Sequence, residues 1–290
     1  MDWTPGEMSS DVEDRRGSSG GGFGGGGGLG IIGFIFLLII SLVTGRNYIG
    51  AYLSGGGRVA TPTTSNRPVT ASPEEDRSAH LVSFVLNDAQ KEWKQLLPEQ
   101  TGQQYRPAHV VLFRDYTQSD CGVAQSQTGP FYCPADEKVY IDLSFWDELS
   151  RLGGSTADFA QSYVLAHELG HHVQNILGIE RQMRQLAERN PSQQNPLSVR
   201  LELQADCFAG VWANTAAQRN IIHPDDVTEG LKAAAAVGDD HIQKMSRGSV
   251  SPESFTHGSS EQRQQWFTRG LQSGNVSQCN TFQRAGGESF

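Results

Sequence analysis

The 290-residue chain has only four cysteines, and no two of them form a C-x-x-C pair. This excludes a thioredoxin-type redox motif and a zinc ribbon built on paired cysteines. Lysine and arginine number 23 against 32 acidic residues, a net charge of -9, and the basic residues form no cluster. That excludes a nucleic-acid partner, because neutralising phosphates requires a concentrated basic surface. No P-loop lysine follows the glycines from Gly20 to Gly28, so that stretch is not a phosphate cradle. There is no internal repeat, and no A-x-A cleavage site follows the one long apolar run.

What is present divides the chain into four parts. Residues 1–28 are polar and glycine-rich, and read as a flexible tail unable to build a core. Leu29 to Thr44 reads LGIIGFIFLLIISLVT, so 29–45 is predicted to be an uncleaved, single transmembrane helix. Residues 54–77, rich in Gly, Thr, Ser and Pro, read as a linker. The folded domain is then 78–290. Arg15 and Arg16 precede the apolar run and Arg46 and Arg58 follow it, a near tie for the positive-inside rule. The cysteines break the tie, since disulfides persist only in an oxidising compartment. Cys121, Cys133, Cys207 and Cys279 allow three pairings, of which we expect Cys121 with Cys133 and Cys207 with Cys279.

Within the domain, Leu81, Val82, Val85, Ala89, Trp93 and Leu96 recur at helical spacing and predict an amphipathic helix over 79–97. HVVLFR (His109–Arg114) and VYIDLSF (Val139–Phe145) read as strands, with a loop containing glycine and cysteine between them. From Asp158 onward the pattern is mostly helical, with breaks at Gly178, 190–196, 220–224 and 246–252. A small sheet followed by helices makes the fold class α+β.

The chemistry concentrates in YVLAHELGHHVQNILG (Tyr163–Gly178). His167 and His171 are four residues apart and project from one helix face, as two imidazoles binding one metal must. Glu168, beside the first of them, is placed to take a proton from a metal-activated water. By composition alone, an H-E-x-x-H run arises in a chain of this length with a probability on the order of one percent. The apolar neighbours Leu165, Ala166, Leu169, Val173 and Ile176 bury this helix, and buried His and Glu need partners. His172 lies about 100° round the helix from His171 and reads as a packing residue or one that supports a ligand, not as a ligand itself.

A catalytic zinc needs a third protein ligand and an open position. Glu202 and Asp206 share one face of a second helix, ahead of the apolar run from Cys207 to Trp212. One of the two carboxylates can bind the metal while the other accepts the N–H of a ligating histidine. In a third segment, Ser259 reads as an N-cap, with His257 in the loop before it and Arg263 in the helix after it. His257 and Arg263 are candidates for stabilising charge on the attacked carbonyl.

These segments, with GPFYCPADEKVYIDLSFW (Gly129–Trp146) and THGSSEQRQQWF (Thr256–Phe267), resemble the bacterial membrane-anchored neutral zinc metallopeptidase family. The resemblance implies a zincin-like domain, a Zn2+ cofactor and a peptide or protein substrate. It also implies residence at the bacterial inner membrane, with the C-terminal domain periplasmic or extracellular. More broadly the pattern is similar to gluzincins, which implies Glu202 as the third zinc ligand and Asp206 as the residue orienting a ligand histidine. His257 and Arg263, six apart, resemble the H-P-x4-R element of membrane-embedded zinc peptidases, with Gly258 in place of the proline. By the same resemblance Val139–Leu143 is the strand that pairs with substrate backbone. The function expected is hydrolysis of peptide bonds with Glu168 as general base. The alternative is a latent or non-enzymatic zinc-stabilised envelope domain that binds other proteins or acts as a chaperone, and oligomeric state is left open.

Overall fold

The computed structural model describes residues 1–17, 71–126 and 129–282. In chain order its strands and helices are β1 (Val12–Asp14), α1 (Pro73–Thr101), β2 (His109–Phe113), β3 (Tyr116–Ser119), β4 (Gly122–Gln125), β5 (Phe131–Cys133) and β6 (Lys138–Asp142). There follow α2 (Phe145–Arg151), α3 (Asp158–Ile176), α4 (Ile179–Arg189), α5 (Gln194–Gln218), α6 (Pro224–Ala236), α7 (Asp239–Arg247) and α8 (Ser260–Ser273). This is an α+β fold, as expected.

The sheet is small and mixed. Its order is β1-β2-β6-β5, with β1, β2 and β6 parallel and β5 antiparallel to β6. Val110, Leu112, Val139 and Ile141 face the helices, whereas Val111, Phe113 and Tyr140 pack with Ala124 and Cys133 on the other side. Side chains alternate along a strand, so burial on both faces explains why these segments are nearly continuous apolar runs. The expected loop between them holds the β3–β4 hairpin, too short and polar to stand out, and the edge strand β5, only three residues long.

Helix α1 starts with Ser72 as N-cap, accepting from the Glu75 N–H, and ends at Gly102 in the left-handed region with φ 74°. It therefore begins inside the expected linker. Its apolar face packs against α3 and α5, which form the centre of the domain with α8. Two disulfides form, Cys121–Cys133 and Cys207–Cys279, in the expected pairing. The second closes 72 residues and ties the chain end to α5. Removing that much freedom from the unfolded chain stabilises the fold by about 4 kcal/mol on a loop-entropy basis.

The expected flexible tail is corrected for residues 1–17. β1 adds to the sheet beside β2, with Val12 opposite Val110 and Asp14 opposite Leu112. The Met1 ammonium meets Asp226 at 2.6 Å, and Trp3 Nε1 donates to Asp158 at 2.7 Å. Buried Arg16 pairs with Asp14 at 2.7 Å and reaches Asp76 at 3.4 Å. An arm this polar cannot form a core by itself, but it need not, because it pairs with the edge of a sheet that already has one.

Residues 18–28 of the expected tail, the expected anchor at 29–45 and residues 54–70 of the linker lie outside the described residues. Among the described residues no helix is long and apolar enough to cross a membrane. Arm and domain are one packed body, and the Arg16–Asp76 contact joins the two ends of the segment between them. A cysteine introduced at exposed Ser10 and one at exposed Glu261 should therefore react together, or fail together, with a membrane-impermeant maleimide on whole cells. The native cysteines are all in disulfides and stay silent. Labelling of one site alone would show that the arm and the domain lie on opposite sides.

Candidate metal centre and active-site cleft

The site begins with a close helix crossing. Gly170, inside the H-E-L-G-H run, faces the backbone of Ala205 on α5; a methyl group there would sit 2.8 Å from the Ala205 carbonyl oxygen. Glycine within a helix costs about 1 kcal/mol relative to alanine. Here it lets the two backbones approach until the His167–His171 face of α3 meets the Glu202–Asp206 face of α5.

One nitrogen of His167, one of His171 and one oxygen of Glu202 all lie within 4.8 Å of one another. His167 Nε2 is 3.2 Å and His171 Nε2 3.6 Å from the Glu202 carboxylate. The other nitrogen of each ring is held separately. His167 Nδ1 meets Asp206 Oδ1 at 2.8 Å, and His171 Nδ1 meets Gln174 Oε1 at 2.9 Å. The Gln174 amide nitrogen donates to Leu201 O and Gln204 Oε1, so its oxygen is the atom facing His171. Both imidazoles thus carry their proton on Nδ1 and direct Nε2 at Glu202. That is the donor set of a catalytic zinc site, two nitrogens and a carboxylate oxygen, and the residues fit the metal.

Asp206 is fully buried yet accepts four hydrogen bonds. They come from Tyr163 Oη at 2.5 Å, His167 Nδ1 at 2.8 Å, Arg263 Nε at 2.8 Å and Arg263 Nη2 at 2.9 Å. Burial alone would raise its pKa, but Arg263 and His167 hold it down at about 2. Burial would likewise lower the pKa of His167, and the carboxylates of Asp206 and Glu202 hold it up at about 10. Metal binding therefore displaces a proton from this ring. Despite burial, His171, His257 and His167 keep Glu202 well below the usual carboxylate range. Glu168 behaves in the opposite way. Burial pushes its pKa up, with the imidazoles of His167 and His171 only partly opposing.

Glu168, His257 and Arg263 line the same cavity, of about 480 Å³, as His167, His171 and Glu202. Its walls are largely apolar, including Phe131, Phe145, Val164, Leu201 and Ile242. Arg263 donates to Asp206 and Tyr163 and, through Nη1, to Val237 O at 3.3 Å. With these N–H groups engaged, Arg263 serves to lock Asp206, while His257 lines the cavity wall.

The expectation for Val139–Leu143 is corrected. β6 is hydrogen-bonded on both sides, to β2 and β5, so its backbone cannot pair with a substrate. The edge strand lining the cavity is β5, through Phe131 and Tyr132. His172 is a packing residue, fully buried, with Nε2 donating to Arg106 O and Nδ1 accepting from Tyr132 Oη. It fixes β5 to the site helix.

Sequence reasoning did not find Tyr163, Gln174 or Gln204. Tyr163 lies four residues before His167 and Gln174 seven after it, so helical spacing was the available signal. Glu202→Ala should abolish stoichiometric zinc retention, whereas Asp206→Asn and Gln174→Leu should keep zinc with affinity lowered about 10- to 100-fold. Competition with a chromogenic chelator measures both effects. Unchanged zinc affinity in Glu202→Ala would remove this residue from the donor set.

The chain is 47% identical over 288 residues to the uncharacterized protein YpfJ of Escherichia coli (strain K12), covering 97% of this chain and 99% of that one. It is 45% identical over 210 residues to the uncharacterized protein Rv2575 of Mycobacterium tuberculosis (strain ATCC 25618 / H37Rv), covering 69% of each chain. No solved structure gives a significant match. Residues 1–282, arm and domain together, match the family described as "Putative neutral zinc metallopeptidase", and the chain belongs to that family.

Proposed function

We propose that the chain is a zinc-dependent metallopeptidase that hydrolyses peptide bonds of protein or peptide substrates outside the cytoplasm. The observation that carries this reading is the convergence of His167, His171 and Glu202 in a cavity that also holds Glu168 and His257. A structural zinc site is closed by four protein ligands and has no use for a fifth, basic group. Here, among the described residues, the cluster able to hold a metal has three members, and His257 is not one of them. That favours an enzyme over a latent site or a zinc-stabilised binding or chaperone domain.

Zinc, when bound, polarises the scissile carbonyl and acidifies a water molecule. The remaining steps belong to the chain. An extended substrate segment pairs with the edge of β5 that no described strand covers and lays its side chains against the apolar walls of the cavity. Glu168, its pKa raised by burial, takes the proton of the attacking water on a carboxylate oxygen and passes it to the leaving amine. His257 donates to the carbonyl oxygen as it gains charge. Asp206 and Gln174 keep the two imidazoles from turning.

The two disulfides support this compartment, since such bonds persist on the oxidising side of a bacterial cell membrane. Membrane attachment rests on the apolar sequence at 29–45.

Glu168→Gln should retain about one zinc per chain, as a single H-E-x-x-H site implies, and lose cleavage of an unfolded protein substrate by a factor of about 10² to 10⁴. Full activity in Glu168→Gln would end the mechanism proposed.

A further inference from the structure

One buried carboxylate on the cavity wall takes no part in the metal centre. Helix α3 ends near Gly178, which takes φ 73° and turns the chain directly into α4. Ile179, Met183 and Leu186 of α4 pack with Leu197 and Phe282. That packing fixes Glu180, in the first turn of α4, against the cavity. An acid in the first turn of a helix is common, because it complements the helix dipole, and so is a Glu–Arg pair four residues apart. Such groups are ordinarily exposed. The Glu180 side chain is only 8% exposed, whereas that of its partner Arg184 is 51% exposed.

The two oxygens of Glu180 are not equivalent. Oε1 accepts from Arg184 Nη2 at 2.5 Å, and among the described residues this is the one side-chain hydrogen bond of the carboxylate. Glu180 lines the cavity and Arg184 does not, so Oε2 is left to whatever occupies the cavity. The other charged wall residues away from the metal centre are Asp147, Glu148 and Arg151 of α2. Arg151 pairs with Glu148 at 2.7 Å, which leaves Asp147 as a second acid. The walls between are largely apolar. From His171 to the end of α3 is about 7.5 Å of helix, the length of about two residues of an extended peptide.

A buried carboxylate is costly unless its charge is met. A peptide filling the cavity takes solvent away from Oε2, so the missing partner must come from the peptide. An apolar side chain leaves the oxygen unmet, and an acidic one repels it. Lysine and arginine bring N–H donors and opposite charge on an apolar stem that suits the remaining walls.

We propose that Glu180 is a specificity-determining residue, selecting peptide segments that place a lysine or arginine side chain in this part of the cavity. Its consequence for cleavage rests on the peptidase reading above, whereas the preference in binding does not.

The test uses the zinc-loaded full chain carrying Glu168→Gln, so that peptides are not consumed. Its probes are short, labelled peptides of alanine and leucine, acetylated and amidated, with a single lysine at successive positions and norleucine as the uncharged control. By fluorescence anisotropy, lysine at one position should bind about 10-fold tighter than norleucine, the worth of one charge-assisted hydrogen bond. Adding Glu180→Gln should bring the two peptides within about 2-fold of each other and leave norleucine binding unchanged. Arg184→Met, at an exposed side chain, should act in the opposite direction and widen the preference, because it removes the competing cation. This variant carries the test by itself if Glu180→Gln does not fold. A pair that only supports the helix would make both substitutions act alike, and that result would overturn the proposal. So would equal binding of lysine and norleucine at every position, or a gain confined to peptides with a free N-terminus. With native Glu168, the lysine peptide should show its advantage in KM and not in kcat. A lysine preference with no cleavage of any peptide would contradict the peptidase reading and leave the role of Glu180 standing.

Discussion

The site depends on one buried carboxylate. Asp206 joins three helices at a point with no access to solvent, binding Tyr163 and His167 of α3 and Arg263 of α8 from its own place on α5. An unpaired carboxylate in that position would cost several kcal/mol, so its partners are obligatory. Because they are obligatory, the orientation of His167 is set before any metal arrives. The Arg263–Asp206 pair is thus better understood as fixing geometry than as adding stability, since a buried ion pair contributes little over a well-packed apolar replacement.

The packing around Asp206 serves the same end. Gly170 lets α3 close onto α5, and the Cys207–Cys279 bridge starts one residue after Asp206. Gln204 Nε2 donates to Cys279 O and its Oε1 accepts from Gln174, which in turn holds His171. One ligand imidazole is therefore oriented through a carboxylate and the other through two amides reaching to the disulfide. The sheet contributes on the opposite side, where Tyr132 and His172 hold β5 along the rim of the cleft.

How much of this was legible in the sequence followed from the range of each interaction. His167, Glu168 and His171 are a local pattern on one helix, and Glu202 and Asp206 are a second, so helical periodicity places both sets. Which of the two carboxylates binds the metal was supplied by the family resemblance and not by spacing. The arm was misread because its partners are distant in sequence. Three residues of β1 have no pattern of their own, and their pairing with β2 lies about a hundred positions along the chain. β6 was read correctly as a strand but wrongly as the one that pairs with substrate, since strand order is set by long-range pairing that a short apolar run does not encode.

The central claim is that the metal is held by two imidazoles and one carboxylate, with a position left open toward Glu168 and His257. X-ray absorption at the zinc edge of the zinc-loaded full chain tests it most directly. The account predicts two imidazole nitrogens in the coordination shell, falling to one in His171→Ala and unchanged in His257→Ala. A shell with three imidazoles, one of them lost in His257→Ala, would show the site closed and contradict the account.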